Sequence, residues 1–308
     1  MRVGIDVGGT TVKLGVLEGA GRPRGERSVP VAGEKRLATI LDGIVSAARE
    51  LAGGSPFGGV GVGMPGLIDR RAGRVDESPN LPVFNGCALR DELARRLALD
   101  PSLVVLENDA NAAALGEARL GAARGERHAL VVTLGTGVGG GLILNGELFL
   151  GEGLAGEIGH VVVDPEGPPC GCGSRGCLET FASATAARRR AAALGLPEDL
   201  EQLALLARAR DGRERALLAA VGRDLGHGLA AAVCLLDVRA FVFAGGFAAA
   251  LDTLVPGVRR GLAEWAYGAR VSSVRLEPAA LGPAAGWIGA ALLPPPVAPP
   301  ARGPHRPT

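Results

Sequence analysis

Side chains of the types that bind metals are concentrated between Gly153 and Ser183. Three of the five cysteines, Cys170, Cys172 and Cys177, fall within eight residues, and His160 lies upstream of them. Three thiolates and one imidazole complete a tetrahedral zinc set and leave no position for water. The alternative is a disulfide with a spare thiol, but the start of the chain lacks a secretory leader pattern, and clustered Cys and His in a cytosolic chain favour metal. The spacing therefore predicts a structural zinc loop with these four ligands.

Two carboxylates flank the four predicted zinc ligands. Glu157 precedes His160 by three residues, and Glu179 follows Cys177 by two. If zinc fixes both flanks, these acids lie near each other and near the second ring nitrogen of His160. Such a group of acceptors with one donor suits a polyhydroxylated ligand. The alternative is a pair of solvated surface glutamates, which is the common state of a glutamate.

The first residues of the chain predict a strand, a glycine turn and a second strand, RVGIDVGGTTVKLGVLEG at residues 2–19. The turn consists of Gly8, Gly9, Thr10 and Thr11. Glycines let backbone N–H groups approach a phosphate, and threonines add hydroxyl donors. Asp6, ending the first strand, could hold Mg²⁺ through water. An ordinary hairpin explains the same residues, since glycine turns are the usual hairpin connection.

The same pattern recurs at residues 129–144, ALVVTLGTGVGGGLIL. Aligning Gly8 with Gly135 sets Asp6 against Thr133. Two similar units, each opening one half of the chain, predict two related α/β domains that face a shared cleft. Two phosphate loops in one cleft are typical of the actin-like (ribonuclease H-like) ATPase fold, and no GxxxxGK[ST] motif offers a Walker site instead.

A third candidate site lies at Glu107-Asn108-Asp109-Ala110-Asn111, where a predicted strand over residues 103–106 meets a helix. Asp109 could be a catalytic base, because the carboxyl ends of strands line the ligand crevice of α/β sheets. It could equally be a helix N-cap, a common position for Asp. Its position alone leaves both interpretations open.

The remaining pattern predicts the domain plan. Helical periodicity and buried apolar runs predict strands near 25–31, 59–64, 240–244 and 273–277 and helices near 34–51, 88–97, 182–194, 198–209, 214–235, 251–265 and 284–293. We expect residues 1–120 to form an N-terminal domain completed by the helix at 284–293, and residues 121–283 to form a larger C-terminal domain with the zinc loop. The proline-rich residues 294–308 are expected to be disordered.

The composition excludes some function classes. The chain has 33 basic and 32 acidic residues and a formal charge of +1, so no basic field favours nucleic acid. Apolar runs are interrupted before they reach about 18 residues, so we expect no membrane span. We therefore expect a cytoplasmic protein that binds small molecules.

These motifs together resemble those of the ROK family of sugar kinases, and within it the bacterial ATP-dependent glucokinases. The motifs that carry the resemblance are DVGGT with Lys13, GMPG at 63–66, PNLP at 79–82, ENDAN at 107–111, GTGVGGG at 135–141, GEIGH at 156–160 and CGCGSRGCLE at 170–179. The departures are Ala244 in place of a common glycine and Pro283 in place of a frequent acid. The resemblance implies a glycolytic enzyme that phosphorylates glucose to glucose 6-phosphate with ATP, Mg²⁺ and Zn²⁺.

The resemblance also implies residue roles. Asp109 would be the general base on the sugar 6-hydroxyl. The sugar ligands would be Asn80, Asn108, Asp109, Glu157, His160 and Glu179, with His160 giving one nitrogen to zinc and one to sugar. The phosphate, Mg²⁺ and nucleotide residues would be Asp6, Gly8, Gly9, Thr10, Thr11, Lys13, Thr136, Gly137, Gly245 and Gly246. A homodimer or homotetramer is expected.

Three alternatives remain. The substrate could be another hexose, namely N-acetylmannosamine, mannose or fructose. The family also contains sugar-responsive repressors, but these resemble this chain with an added N-terminal helix-turn-helix domain, for which the strand at Arg2 leaves no room. A non-catalytic zinc and sugar-binding module is disfavoured by the presence of both Asp109 and the phosphate loops.

Overall fold

The computed structural model describes residues 1–19 and 21–294, and these form two compact units. Of the described residues, the first unit comprises those of Met1–Asn108 together with 290–294, and the second comprises Asp109–Gly289. Apart from Pro294, the tail expected to be disordered lies outside the described residues.

The first unit is built on a five-stranded sheet. The strands of the whole unit are β1 (Arg2–Val7), β2 (Thr11–Glu18), β3 (Arg22–Pro30), β4 (Val60–Met64), β5 (Leu67–Asp69), β6 (Arg74–Glu77) and β7 (Val104–Asn108). Its helices are α1 (Leu37–Ala52) and α2 (Leu89–Leu97). The sheet order is β3-β2-β1-β4-β7, with β5 and β6 forming a separate hairpin. β1 pairs antiparallel with β2 and parallel with β4, which pairs parallel with β7.

Helix α1 shows how the sequence fixes these elements. Ile40, Leu41 and Ile44 recur at helical spacing and are 1–2% exposed, so one face of the helix is buried. The helix ends at Gly53, whose φ of 55° is left-handed and whose N–H donates to the carbonyls of Arg49 and Glu50. A glycine takes this conformation without the steric cost that a Cβ brings.

The second unit repeats the same sheet. Its elements are α3 (Asp109–Leu120), β8 (His128–Leu134), β9 (Val138–Leu144), β10 (Glu147–Phe149), α4 (Glu179–Ala182), α5 (Ala184–Ala193), α6 (Leu200–Ala209), α7 (Arg213–Leu236), β11 (Ala240–Ala244), α8 (Leu251–Trp265), α9 (Gly268–Val271), β12 (Arg275–Pro278) and α10 (Ala285–Leu292). The order β10-β9-β8-β11-β12 copies that of the first sheet, with antiparallel and parallel pairings in the same places. The predicted α/β fold of two related domains is confirmed.

Helix α7 is the long core helix of the second unit. It is apolar and long enough to span a membrane by composition alone, but 67% of its most apolar window is buried inside the fold. Leu218, Val221, Leu225 and Leu229 are fully buried on it. Its hydrophobicity is therefore explained by core packing.

Two stretches differ from the expected elements. The segment after β4, where no strand was predicted, contains the β5–β6 hairpin, which Gly66 and Gly73 permit with φ values of 106° and 68°. The helix expected over 182–194 is α5, which begins only after Ser183, and the short helix α4 that precedes it was not predicted. The Ser183 hydroxyl accepts the Ala186 N–H at 3.0 Å and caps α5.

Candidate functional site

The four predicted zinc ligands converge in the second unit. One ligand atom from each of His160, Cys170, Cys172 and Cys177 lies within 4.8 Å of all the others. The Sγ atoms of Cys172 and Cys177 are 3.7 Å apart, and Cys170 Sγ is 3.7 Å from His160 Nδ1. A tetrahedral zinc site places neighbouring ligand atoms about 3.6–3.8 Å apart, whereas a disulfide needs about 2.05 Å. The donor set and its spacing therefore fit zinc.

The loop that carries these ligands folds tightly. Val162 and Cys177 form an antiparallel bridge, as do Pro169 and Arg175. Gly176 has a φ of 70°, and a Cβ there would lie 1.6 Å from the Asp164 carbonyl oxygen, so only glycine fits. Burial raises the pKa of the Cys177 thiol, so its proton must leave when a cation binds.

Glu179 links the cysteine cluster to the glycine turn of the same unit. One carboxylate oxygen, Oε1, lies 3.0 Å from Cys170 Sγ and 4.0 Å from His160 Nδ1. The other, Oε2, lies 2.6 Å from the position that a Cβ on Gly137 would take. A single side chain at the start of α4 therefore contacts both predicted sites.

The segment from Gly156 to His160 is fixed on strand β9. A Cβ on Gly159 would lie 1.9 Å from the Val138 carbonyl oxygen, and one on Gly140 would lie 2.4 Å from that of Gly156. This backbone contact holds the short 3₁₀ turn Ile158–His160 that follows Glu157. Because Nδ1 of His160 faces Cys170, its Nε2 is the nitrogen available to a ligand hydroxyl.

Two glycine motifs lie side by side at one edge of the second sheet. The β8–β9 turn is closed by the Gly135 N–H donating to the Gly137 carbonyl at 3.0 Å, and it includes the exposed Thr136. Gly245 and Gly246 follow β11, the parallel neighbour of β8. A Cβ on Gly245, whose φ is 87°, would lie 2.4 Å from the Leu134 carbonyl oxygen. The two predicted nucleotide motifs therefore meet.

Asp109 is the first residue of α3. Its Oδ1 accepts the Ala110 N–H at 2.9 Å, so the carboxylate does satisfy a helix N–H. Burial raises the pKa of the Asp109 carboxyl above its ordinary value, which makes its anion a stronger proton acceptor. Ala110 Cβ lies 3.1 Å from the position of a Cβ on Gly139, so the start of α3 packs beside the β8–β9 turn. Capping and base chemistry are therefore compatible here.

The first unit brings its own predicted residues together. Asp6 and Lys13 are directly opposite on β1 and β2, on one face of the sheet. Between them, the Gly8 N–H donates to the Thr11 carbonyl at 3.1 Å, and the Thr10 carbonyl accepts two N–H groups from the chain after β3. Asn80 Cβ lies 3.9 Å from the position of a Cβ on Gly9. The turn and one predicted sugar ligand are therefore adjacent.

Asn108 ends β7, whose register sets Glu107 beside Gly63 and Gly63 beside Asp6. The sequence did not predict how Glu107 is used. It is 2% exposed, and both of its oxygens bind the guanidinium of Arg70. Glu107 is therefore occupied and does not compete with Asp109 as a base. The signal that pointed to Glu107 was its place in the ENDAN motif, but nothing local pointed to Arg70.

Comparison with known proteins gives one family over the whole described chain. The family model "ROK family" matches residues 2–296. The chain is 35% identical to "Glucokinase" of Thermotoga maritima, covering 94% of this chain and 96% of that protein. It is 36% identical to "Kanosamine kinase" of Amycolatopsis mediterranei, covering 94% and 95%. A ROK family glucokinase from Streptomyces griseus, solved in complex with glucose and AMPPNP, superposes with a TM-score of 0.78 at 34% identity, covering 94% and 97%.

Proposed function

The chain is a sugar kinase of the ROK family, and we propose that it transfers the γ-phosphoryl group of ATP to the 6-hydroxyl of glucose. The observation that carries this proposal is the position of Glu179. Its carboxylate lies between Cys170 of the zinc cluster and Gly137 of the glycine turn. A sugar held by this carboxylate is therefore held beside a turn suited to phosphate.

We assign sugar recognition to side chains that can accept hydrogen bonds from the sugar hydroxyls or donate hydrogen bonds to them. In the second unit these are Glu157, the Nε2 of His160, and Glu179. In the first unit they are Asn80 and Asn108. Carboxylate–hydroxyl bonds are stronger than neutral ones, and they demand an unmodified hydroxyl at each contact. Zinc, when bound by His160 and the three cysteines, fixes the loop that carries two of these groups.

In phosphoryl transfer the protein acts mainly by positioning the reactants and by stabilising the charge on the phosphates. Backbone N–H groups of Gly8–Thr11 and of the turn at Thr136 and Gly137 would face the phosphates, with Gly245 and Gly246 on the adenosine side. Asp6 would hold Mg²⁺ through water, and Lys13 lies opposite it in the sheet. The ion, when bound, neutralises phosphate charge.

Asp109 removes the proton in this mechanism. The carboxylate accepts the proton of the 6-hydroxyl as that oxygen forms a bond to the γ-phosphorus, and the bond from phosphorus to the leaving ADP oxygen breaks. Proton transfer to a positioned base typically contributes about 10²–10⁴-fold. The raised pKa of Asp109 favours this step because it brings the carboxyl closer to the pH at which the enzyme works.

The runner-up substrate is another hexose, and the likeness to a kanosamine kinase keeps it in consideration. N-acetylmannosamine, mannose and fructose complete the set. Glucose is preferred because the proposed sugar ligands are acceptors and donors for hydroxyls, and an N-acetyl group needs an apolar niche in addition.

A substrate panel tests the proposal. The purified enzyme is assayed for ADP release with glucose, mannose, fructose, kanosamine and N-acetylmannosamine at fixed MgATP. We expect the highest kcat/KM for glucose. A higher kcat/KM for another sugar would replace glucose as the substrate, and no turnover of any sugar would overturn the kinase proposal. Light scattering on the same preparation tests the proposed homodimer or homotetramer.

A further inference from the structure

A buried carboxylate that the proposed mechanism does not use lies next to the sugar site. Glu107 is 2% exposed, and the Arg70 guanidinium binds it through two parallel contacts, Nε to Oε2 at 2.6 Å and Nη2 to Oε1 at 2.5 Å. The side chain of Arg70 is itself only 25% exposed. This fork-to-fork geometry fixes both side chains in orientation as well as in distance.

Because Glu107 is held in orientation, it can also fix the backbone of the next residue. Its Oε1 also accepts the backbone N–H of Asn108 at 2.8 Å. Asn108 is a proposed sugar ligand, and the proposed base Asp109 follows it in the chain. The peptide plane that sets the direction of the Asn108 side chain is therefore held by a carboxylate, which Arg70 holds in turn.

Arg70 lies at the tip of the β5–β6 hairpin, and that tip is tied to strand β7 at two places. Arg90 of α2 donates to the carbonyls of Arg70 and Arg71 and, through Nε, to the Val104 carbonyl at 3.2 Å. Arg90 thus ties the tip to the first residue of β7. The pair of Arg70 and Glu107 ties it to the other end of the same strand, one residue before its last residue, Asn108.

The hairpin leads directly to the other proposed sugar ligand of the first unit. Strand β6 ends at Glu77, and the following Ser78 donates its N–H to Asn85 Oδ1 at 2.8 Å. The Leu81 N–H donates to the Ser78 carbonyl at 3.1 Å, so Asn80 lies in a closed turn. The position of Asn80 relative to Asn108 therefore depends on how the hairpin is attached to β7.

We propose that Arg70 is a positioning residue of the sugar site, which sets Asn108 through Glu107 and holds the hairpin that carries Asn80. This inference rests on the proposed function. A buried ion pair contributes little net stability compared with apolar groups of the same volume, because removing both charges from water offsets their attraction. Positioning is therefore the better explanation for keeping one here.

The test compares three substitutions at the pair with one control. Arg70→Lys keeps the charge and loses the fork, and Glu107→Gln keeps the shape and loses the charge. The double change Arg70→Met with Glu107→Leu removes both charges together, which protects the fold from an unpaired buried charge. The control is Arg223→Lys in the second unit, where Arg223 of α7 pairs with Glu264 of α8 at 2.7 Å.

The readouts are the Kd of glucose by calorimetry without nucleotide, the KM for glucose, the KM for MgATP, and Tm. We expect Arg70→Lys and the double variant to raise the glucose Kd and KM about tenfold. The KM for MgATP should change less than twofold, and the control should change neither. The Tm of the double variant should stay within a few degrees of wild type.

Three results would overturn the inference. One is wild-type glucose affinity in a folded Arg70→Lys and double variant. Another is an equal rise in both KM values that follows the loss of Tm, since that is a purely structural effect. The third is wild-type protein that binds no sugar. If the wild type binds glucose but does not phosphorylate it, the proposed function fails alone, and the glucose Kd of Arg70→Lys still decides the positioning role.

Discussion

The two five-stranded sheets share one strand order but differ in what surrounds their glycine turns. In the first unit the turn of Gly8–Thr11 is flanked by the charged pair of Asp6 and Lys13. At the matching place in the second unit, Thr133 lies opposite Gly139. The same backbone pattern therefore presents charge in one unit and only small uncharged groups in the other.

The strands that follow the two turns also differ, in the size of their side chains. On β2 the large side chains of Val12, Leu14 and Val16 fill the core and are fully buried. On β9 three consecutive glycines, Gly139–Gly141, follow Val138, and a Cβ on Gly141 would lie 2.3 Å from Ala114 Cβ of α3. The second unit thus replaces side-chain packing with direct backbone contact. This brings α3, the GEIGH segment and the zinc loop close to the turn.

Substitution of the proposed base should have the largest effect, and it tests whether the second unit holds the chemistry. Asp109→Asn should lower kcat by about 10²–10⁴-fold, because an amide cannot take the 6-hydroxyl proton. The glucose KM should change little, since the amide still hydrogen-bonds the hydroxyl. Steady-state kinetics with glucose check this, and near-normal kcat in the folded variant would remove Asp109 from the mechanism.

The same variant should not lose stability. Burial raises the folded-state pKa of Asp109 above its value in the unfolded chain, so the charged form is disfavoured in the fold. That cost is fully present above the folded pKa and disappears below the unfolded value of about 3.8. Asp109→Asn should therefore melt at or above the wild-type Tm at pH 7, with the difference shrinking toward pH 3.5. A lower Tm at pH 7 would mean that the carboxylate acts mainly as a helix cap.

Loss of a zinc ligand should have the next largest effect, because it releases the part of the second unit that carries Glu157 and Glu179. Cys172→Ser should lower bound zinc well below one per chain and raise the glucose KM about 10²-fold. That is the cost of two weakened charge-assisted bonds at about 1.5 kcal/mol each. Elemental analysis and glucose titration measure the two quantities. The exposed Cys234→Ser is the matched control and should change neither.

A pair of substitutions at matching positions tests whether only the first glycine turn acts through a charged side chain. Asp6→Asn should raise the KM for MgATP, or lower kcat, on the order of tenfold, because a carboxylate oxygen is a preferred partner of hydrated Mg²⁺. Thr133→Val at the matching position of the second unit should change either value less than twofold. Both variants are measured across a series of Mg²⁺ concentrations. Equal effects of the two changes would contradict the idea that the first turn acts through a charged side chain and the second through its backbone.

The smallest expected effect probes the contact between Gly137 and Glu179. Gly137→Ala places a methyl group 2.6 Å from Glu179 Oε2, and the carboxylate must shift. The glucose KM should rise about threefold, in line with one weakened hydrogen bond. Gly135→Ala is the control, since a Cβ there meets no atom within 4 Å. If the two alanine variants have the same glucose KM, Glu179 is not held by the turn.

Local patterns allowed much of the fold and the zinc ligands to be predicted from sequence. Cys170, Cys172 and Cys177 are close in sequence, so their spacing alone restricts them to one small loop. The repeated strand–glycine–strand pattern likewise predicted two like sheets, and β11 and α8 begin and end where periodicity placed them.

Contacts between distant residues were not predicted. Arg70 and Glu107 are 37 residues apart, and a single arginine in a polar segment gives no sign of its partner. Glu117 is another case: its buried carboxylate accepts N–H groups from Ala122, Ala280 and Leu281, which joins the end of α3 to the chain after β12. The β5–β6 hairpin was missed because its strands are only three and four residues long.

The last described turn of the chain completes the first unit, and this has a consequence for synthesis on the ribosome. Arg2 on β1 donates to the carbonyls of Ala291 and Leu293, and a Cβ on Gly61 of β4 would lie 1.7 Å from the Ala290 carbonyl oxygen. At 5–20 residues per second, roughly 15–60 s separate the synthesis of Arg2 from that of its partners. During that interval the second unit is synthesised, while the first still lacks the segment from Ala290 to Leu293. The residues that pack on Gly61 and bind Arg2 are synthesised almost 290 residues after Arg2, so Gly61 in the nascent first sheet stays uncovered until then.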